Sequence, residues 1–239
     1  MLTTAILAGG LGTRLRALSP DRPKALVPVL GRPFLDLQLA QLAAQRIERV
    51  VLCLSYLGAM IEEHVGDGSR YGLRVTYSHD GPEQVGTAGA IKNALPLLGD
   101  RFFVIYGDSY LTADYRAIQA AFERSGKAGL MTIYRNENAL APSNVRAENG
   151  CILAYEKAHP LPDMHYIDYG LSAYRACAFD TVRLHEPTDL ATVTASLLSS
   201  GELAGFEVAD RFYEVGTPDA VAQLEAYLQI GRASCRERV

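Results

Sequence analysis

The chain has 239 residues, 49% of them apolar and 21% charged, with a formal net charge of −4. This is an ordinary globular composition, long enough for one domain with a sizeable core. It excludes a nucleic-acid binder with a long basic stripe and a protein with an apolar run of bilayer length. Cys53, Cys151, Cys177 and Cys235 lie far apart and show no metal spacing, and the N-terminus lacks a signal-peptide pattern, so a reduced, cytoplasmic protein is expected.

Thr4-Ala5-Ile6-Leu7 predicts a buried strand, and it opens into Gly9-Gly10-Leu11-Gly12-Thr13-Arg14. Pro33 to Gln45 predicts a helix, with proline suited to its first turn. Arg49 to Leu54 reads as an apolar strand, Tyr56 to Val65 as a helix and Leu73 to Tyr77 as a strand. Thr87 to Leu98 reads as a helix, Phe102 to Tyr106 as a second apolar strand, Asp114 to Arg124 as a helix and Gly129 to Tyr134 as a strand. Alternation of this kind predicts an α/β fold, a Rossmann-like doubly wound, mostly parallel sheet with helices on both faces.

The second half is less regular. Val145–Glu148 and Cys151–Tyr155 flank Asn149-Gly150, a hairpin signal. Ile167 to Tyr174 looks like a strand, and Thr188 to Leu198 like a helix with Thr188 as its N-cap. Leu203–Val208 and Arg211–Val215 predict short strands, and Thr217-Pro218-Asp219 starts a last helix to about Leu228. A single domain over 1–230 is expected, with 231–239 read as an artificial appendage or a disordered tail.

The glycine-rich loop is the densest chemical signal. Three glycines in four positions let the backbone turn tightly, and amides near a helix start suit a phosphate. Arg14, Arg16, Arg22, Lys24 and Arg32 make the start of an otherwise acidic chain basic, as an anionic ligand requires. Two common phosphate motifs are near misses: Leu15 stands where the dinucleotide fingerprint needs glycine, and Thr13-Arg14 where the P-loop needs Lys-Ser/Thr. Gly107-Asp108, after a buried strand, offers carboxylate oxygen to a hard divalent cation. The histidines show no paired ligand spacing, and no Ser-His-Asp or Cys-His arrangement is suggested.

Gly9 to Leu15 with Pro23-Lys24-Ala25-Leu26-Val27-Pro28 closely resembles the signature of the sugar-1-phosphate nucleotidyltransferases. Gly31-Arg32-Pro33-Phe34-Leu35-Asp36 is most similar to the heptose- and mannose-phosphate guanylyltransferase branch. The resemblance implies that the loop around Leu7, Ala8, Gly9, Gly10, Gly12 and Thr13 cradles a nucleoside triphosphate, with Arg14 and Lys24 on its phosphates. Gly86, Thr87 and Ala88 resemble the segment that packs on the nucleobase, with Glu83 or Gln84 reading its edge. Asp108 would be a metal ligand, and Glu214, where the family usually has aspartate, the second. Glu156-Lys157 resembles the pair that reaches the sugar phosphate, and Asp168, Tyr169 and Gly170 fall where the family meets the sugar.

The implied enzyme is Mg2+-dependent, with Arg14, Lys24 and Asp108 as catalytic residues. Its partners would be an NTP and a sugar 1-phosphate, with neither nucleic acid nor membrane; a homodimer stays open. GTP with D-glycero-D-manno-heptose 1-phosphate or mannose 1-phosphate is the specific expectation. The alternatives are a uridylyl-, cytidylyl- or thymidylyltransferase on another hexose 1-phosphate, a nucleotide-sugar sensor without turnover, and a dehydrogenase, which Leu15 disfavours.

Overall fold

The computed structural model describes residues 1–10, 22–55, 57–81, 85–184 and 186–236. The first half comprises β1 (Thr3–Leu7), β2 (Pro28–Val29), β3 (Arg32–Pro33), α1 (Phe34–Ala44), β4 (Arg49–Leu54), α2 (Gly58–Val65), β5 (Arg74–His79), α3 (Gly86–Leu98), β6 (Arg101–Tyr106) and β7 (Ser109–Tyr110). There follow α4 (Tyr115–Ser125), β8 (Gly129–Arg135), β9 (Val145–Glu148), β10 (Cys151–Tyr155), β11 (Tyr166–Arg175), α5 (Leu190–Ser199), β12 (Leu203–Val208), β13 (Tyr213–Glu214) and α6 (Pro218–Arg236).

The central sheet runs β10-β9-β11-β6-β1-β4-β5, and β8 joins β11 to β12. β6, β1, β4 and β5 are mutually parallel neighbours. β6, β1 and β4 are short and apolar because both of their faces are covered, whereas β5, at the edge, alternates buried and exposed residues. Residues alternate between two cores: Ile6, Leu52 and Phe103 pack with α1, α2 and α4, while Ala5, Val51 and Val104 pack with α3 and α5. The doubly wound α/β expectation therefore holds. β11 then lies antiparallel to β6 and to β8, so the second half extends the sheet by a different rule. A third, smaller cluster of Val29, Phe34, Leu37, Val215 and Leu224 fastens α6 to β2, α1 and the end of β13.

The Asn149-Gly150 hairpin forms as predicted, with φ of +50° and +77° at its two turn residues. Several boundaries differ from expectation by two residues or more. α5 begins at Leu190, and its cap is Asp189, whose carboxylate accepts from Ala191 N at 2.8 Å. Thr188 is instead a strap: its N donates to Val85 O and its O accepts from Ala88 N, both at 2.9 Å. The predicted strand Arg211–Val215 shrinks to Tyr213–Glu214, the length of its partner β7. The helix expected from Tyr56 starts at Gly58. α6 continues past Leu228 to Arg236, since no proline falls in that stretch and its one glycine, Gly231, costs only about 1 kcal/mol.

Candidate active-site cleft

The four parallel strands end on one edge, which is where doubly wound sheets hold ligands. A cleft of about 820 Å³ opens there. Its floor is Leu7, Ala8, Gly9 and Gly10 after β1, Ser55 after β4, Asp80 after β5, and Gly107 and Asp108 after β6. Lys24, Gly86 and Thr87 complete one end; Asn144, Lys157, Asp168, Tyr169 and Gly170 form the other. Glu214 and Gly216 lie along its side.

The first end is built largely from backbone. Ser55 Oγ donates to Gly9 O at 2.7 Å, and Gly107 N donates to Leu7 O at 3.0 Å, so the loops after β1, β4 and β6 are tied together. Gly107 has no space for a side chain: a Cβ there would sit 2.8 Å from Leu7 O and 3.0 Å from Ala8 Cα. Lys24 opens a 3₁₀ turn, Lys24–Leu26, whose Ala25 and Leu26 are buried anchors. Its Nζ meets Asp108 Oδ2 at 2.5 Å. Glu214 faces Ser109 across the β7–β13 ladder, and Val215 N donates to Asp108 O at 2.9 Å. A Cβ on Gly216 would be 3.7 Å from Lys24 Nζ and 4.0 Å from Glu214 Oε2. One ammonium and two carboxylates thus share a small volume.

Thr87 lines the cleft while its Oγ1 accepts from Leu190 N at 2.7 Å. Ala88 is wholly buried beneath it and does not reach the cleft. Asp80, not singled out in the sequence, stands in the cleft with Oδ1 buried and without a hydrogen-bond partner. Burial pushes its carboxyl up to about 6, against the pull of Asn93 and His79. The signal that would have found it is an acid just beyond the end of a parallel strand, the position that Gly107-Asp108 also occupies.

The second end is built from side chains. β11 is irregular between Asp168, opposite Ile133, and Ser172, opposite Met131, and this bulge turns Asp168 and Gly170 into the cleft. Asp168 Oδ1 accepts from Gly170 N at 2.9 Å, Asp168 N donates to Asn144 Oδ1 at 2.9 Å, and Tyr155 OH donates to Asp168 Oδ2 at 3.5 Å. Burial raises the Asp168 carboxyl above the usual range, opposed by the Gly170 amide and Lys157. Lys157 Nζ lies 5.8 Å from the centre of the Tyr106 ring. Burial raises the Tyr106 and Tyr155 phenols, with the Asp168 charge adding to it.

Besides Ala88, two predicted contacts fall elsewhere. The Tyr169 hydroxyl accepts from Thr112 N at 2.9 Å and so is committed beneath the cleft, although other atoms of the residue line it. The Glu156 carboxylate accepts from Ala158 N and His159 N at 2.9 and 3.3 Å and does not line the cleft, because its short reach closes its own turn first. Gly12, Thr13, Arg14, Glu83 and Gln84 lie outside the described residues. No described histidine lines the cleft. Among the described residues, no group of three or more His, Cys, Asp or Glu side chains gathers to hold a metal. Of the four carboxylates among the described residues that line the cleft, Asp80, Asp108, Asp168 and Glu214, the two gathered around Lys24 are Asp108 and Glu214.

Known proteins share this arrangement of sequence and fold. The family model described as Nucleotidyl transferase matches residues 3–157. The mannose-1-phosphate guanylyltransferase of Mycobacterium tuberculosis is 32% identical over 234 residues, which are 95% of this chain and 65% of that protein. The N-acetylmuramate alpha-1-phosphate uridylyltransferase of Neisseria meningitidis serogroup B is 40% identical over 113 residues, 47% of this chain and 49% of that protein. The chain spans about half to two thirds of the length of such curated relatives. HddC from Yersinia pseudotuberculosis, solved with GMP-PN, superposes with a TM-score of 0.79 at 24% identity, covering 95% of this chain and 100% of that one, a likeness of fold. No described helix is long and apolar enough to cross a membrane.

Proposed function

The chain belongs to the nucleotidyl transferase family, and from that premise we propose that it joins a nucleoside monophosphate from an NTP to a sugar 1-phosphate, releasing pyrophosphate. The observation that carries this reading is the meeting of Lys24, Asp108 and Glu214 at one part of the cleft and Lys157 at another. Two cationic side chains at separate places suit two anionic substrates.

A phosphate oxygen of the sugar 1-phosphate attacks the α-phosphorus in line, and the α–β anhydride bond breaks. The nucleophile is already anionic, so positioning and charge neutralisation suffice, without a strong base. Lys24 stabilises the phosphates at the reacting centre. Arg14 and the loop amides hold the leaving pyrophosphate. Lys157, on the Tyr106 ring, offsets the repulsion met by the incoming acceptor phosphate. Asn144, Asp168 and Gly170 meet the sugar hydroxyls. Asp108 and Glu214 fit Mg2+, which takes one or two carboxylates and completes its shell with phosphate oxygens and water. When bound, that ion neutralises charge on the α-phosphate.

GTP is the preferred donor in this reading. The Asp80 carboxylate lines the cleft as an acceptor, and guanine offers two adjacent donors, N1–H and N2–H2. Uracil and thymine offer one N–H between two carbonyls, which a carboxylate repels. The acceptor is then a manno-configured sugar 1-phosphate, mannose 1-phosphate or D-glycero-D-manno-heptose 1-phosphate. Uridylyl transfer to another hexose 1-phosphate is the second reading, favoured by the 40% identity to a protein of that kind over nearly half the chain.

Pyrophosphate release with Mg2+, crossing GTP, UTP, CTP, ATP and dTTP against mannose, heptose and glucose 1-phosphates, is the test. Release from GTP with a manno-configured acceptor is the expected result. Release from UTP alone overturns the donor assignment and leaves the reaction standing. No release from any pair, with a nucleotide sugar still bound, overturns turnover itself.

A further inference from the structure

α1 carries a buried amide, Gln38, 2% exposed, among the apolar residues Leu35, Leu39 and Leu42. A polar side chain in such a place is costly unless its atoms find partners. Gln38 Nε2 donates to Tyr106 O and to Ser109 O, each at 2.9 Å, and so uses both of its hydrogens. Those two carbonyls bracket Gly107 and Asp108. One turn of helix further on, Gln41 Nε2 bonds Leu111 O. Gln38 Oε1 is buried with no partner. Methionine would occupy this volume without leaving an orphaned oxygen, so the two N–H bonds are what the amide supplies.

The Gly107-Asp108 turn is held from three directions. β1 accepts the Gly107 N–H through Leu7 O, and the strand end after β13 donates Val215 N to Asp108 O. The third hold comes from α1 and is the only one of these made by a side chain. Without it, the carbonyls on either side of Asp108 lose their shared donor and the turn can rotate about its remaining bonds. Rotation would move the Asp108 carboxylate away from Lys24 and from the neighbourhood of Glu214.

We propose that Gln38 is a positioning residue, a clamp on the Tyr106–Ser109 turn that sets where the Asp108 carboxylate points. It does not line the cleft, and it acts through Asp108. The inference rests on the proposed reading of Asp108 as a metal ligand. Outer partners of this kind change metal affinity by roughly 10- to 100-fold when removed.

The test is Mn2+ binding to the full chain, with free ion read by electron paramagnetic resonance, for the unaltered protein, Gln38→Met, Gln38→Asn and Asp108→Ala. Asp108→Ala should abolish the binding. Gln38→Met should weaken it about tenfold, keep a cooperative thermal transition, and speed amide exchange at Gly107–Tyr110 and Val215. Turnover should fall through a higher Mg2+ requirement, with kcat recovered at high Mg2+. If folded Gln38→Met binds Mn2+ like the unaltered protein while Asp108→Ala does not, the positioning role is overturned and the metal reading survives. If Asp108→Ala binds Mn2+ normally, the metal reading fails and the positioning role falls with it. Gln38→Asn, one methylene too short to reach both carbonyls, decides by the same criteria if Gln38→Met does not fold.

Discussion

The two ends of the cleft are made of different material. The end at Leu7–Gly10, Ser55 and Gly107 presents main chain, packed so tightly that a Cβ at Gly107 would strike Leu7 and Ala8. The end at Lys157 and Asp168 presents side chains: an ammonium over a tyrosine ring, a half-buried carboxylate and the Asn144 amide. Backbone amides suit phosphate, which is the same in every nucleotide. Side chains suit a sugar, whose hydroxyls differ from one acceptor to the next. The parallel half of the sheet supplies the first kind of surface, since its strands end together. The antiparallel additions supply the second, through a bulge in β11.

Substitutions should separate the ends. The largest effect is expected where the reaction occurs: Lys24→Ala and Asp108→Ala should each cut kcat at least ~100-fold, the scale of losing one preorganised electrostatic contact. Because the two groups touch at 2.5 Å, the double variant should cost much less than the product of the singles. Steady-state kinetics near the unaltered rate for both would break the assignment. Lys157→Ala should raise KM for the sugar phosphate roughly ten- to a hundredfold, the range for a charged hydrogen bond, and leave KM for the NTP nearly unchanged. Equal rises in both would dissolve the distinction between the ends.

Asp80→Asn should reduce the preference for GTP over UTP roughly tenfold, as kcat/KM ratios would report. It also carries a pH signature. The folded carboxyl titrates at about 6 against an ordinary 3.8, so the folded state holds its proton more tightly than the unfolded one. The contribution of Asp80 to stability should therefore fall as pH rises from about 4 to about 6 and stay flat above. Asp80→Asn should flatten that slope and stabilise the protein above pH 6 by about 1–2 kcal/mol, a figure reduced for partial solvent exposure. Urea melts from pH 4 to 8 would show whether the slope disappears.

Much of the first end was legible in the chain. Glycine density after an apolar strand, a basic stretch and Gly107-Asp108 each carry a local cue, and the strands Arg49–Leu54 and Leu203–Val208 appear with the bounds that periodicity gives them. The second end was legible only in part. Lys157, Asp168 and Gly170 do reach the cleft, but Glu156 closes its own turn and the Tyr169 hydroxyl goes to Thr112. Whether a polar atom faces a ligand or a neighbour depends on which partner lies closer, and that partner is usually distant in the chain. Asn144 was missed for that reason. Thr188 is a further instance: its local sequence reads as a cap, but a strap to Val85 and Ala88 claims its backbone, and Asp189 takes the cap.

The sequence by itself determined the doubly wound order, because period-two burial on short apolar strands leaves helices no place except the two faces. It also determined the glycine-bearing turn after β1, where a Cβ on Gly9 would come within 2.8 Å of Ser55 Oγ. Tertiary structure alone decided that Glu214 stands beside Asp108, which takes a two-residue ladder between segments a hundred residues apart. It alone decided that Gln38 spans the turn on which Asp108 sits and that Asp80 lines the cleft. Each of these is a matter of which groups are brought within about 3 Å of one another, the reach of a hydrogen bond, and chain spacing does not encode that distance.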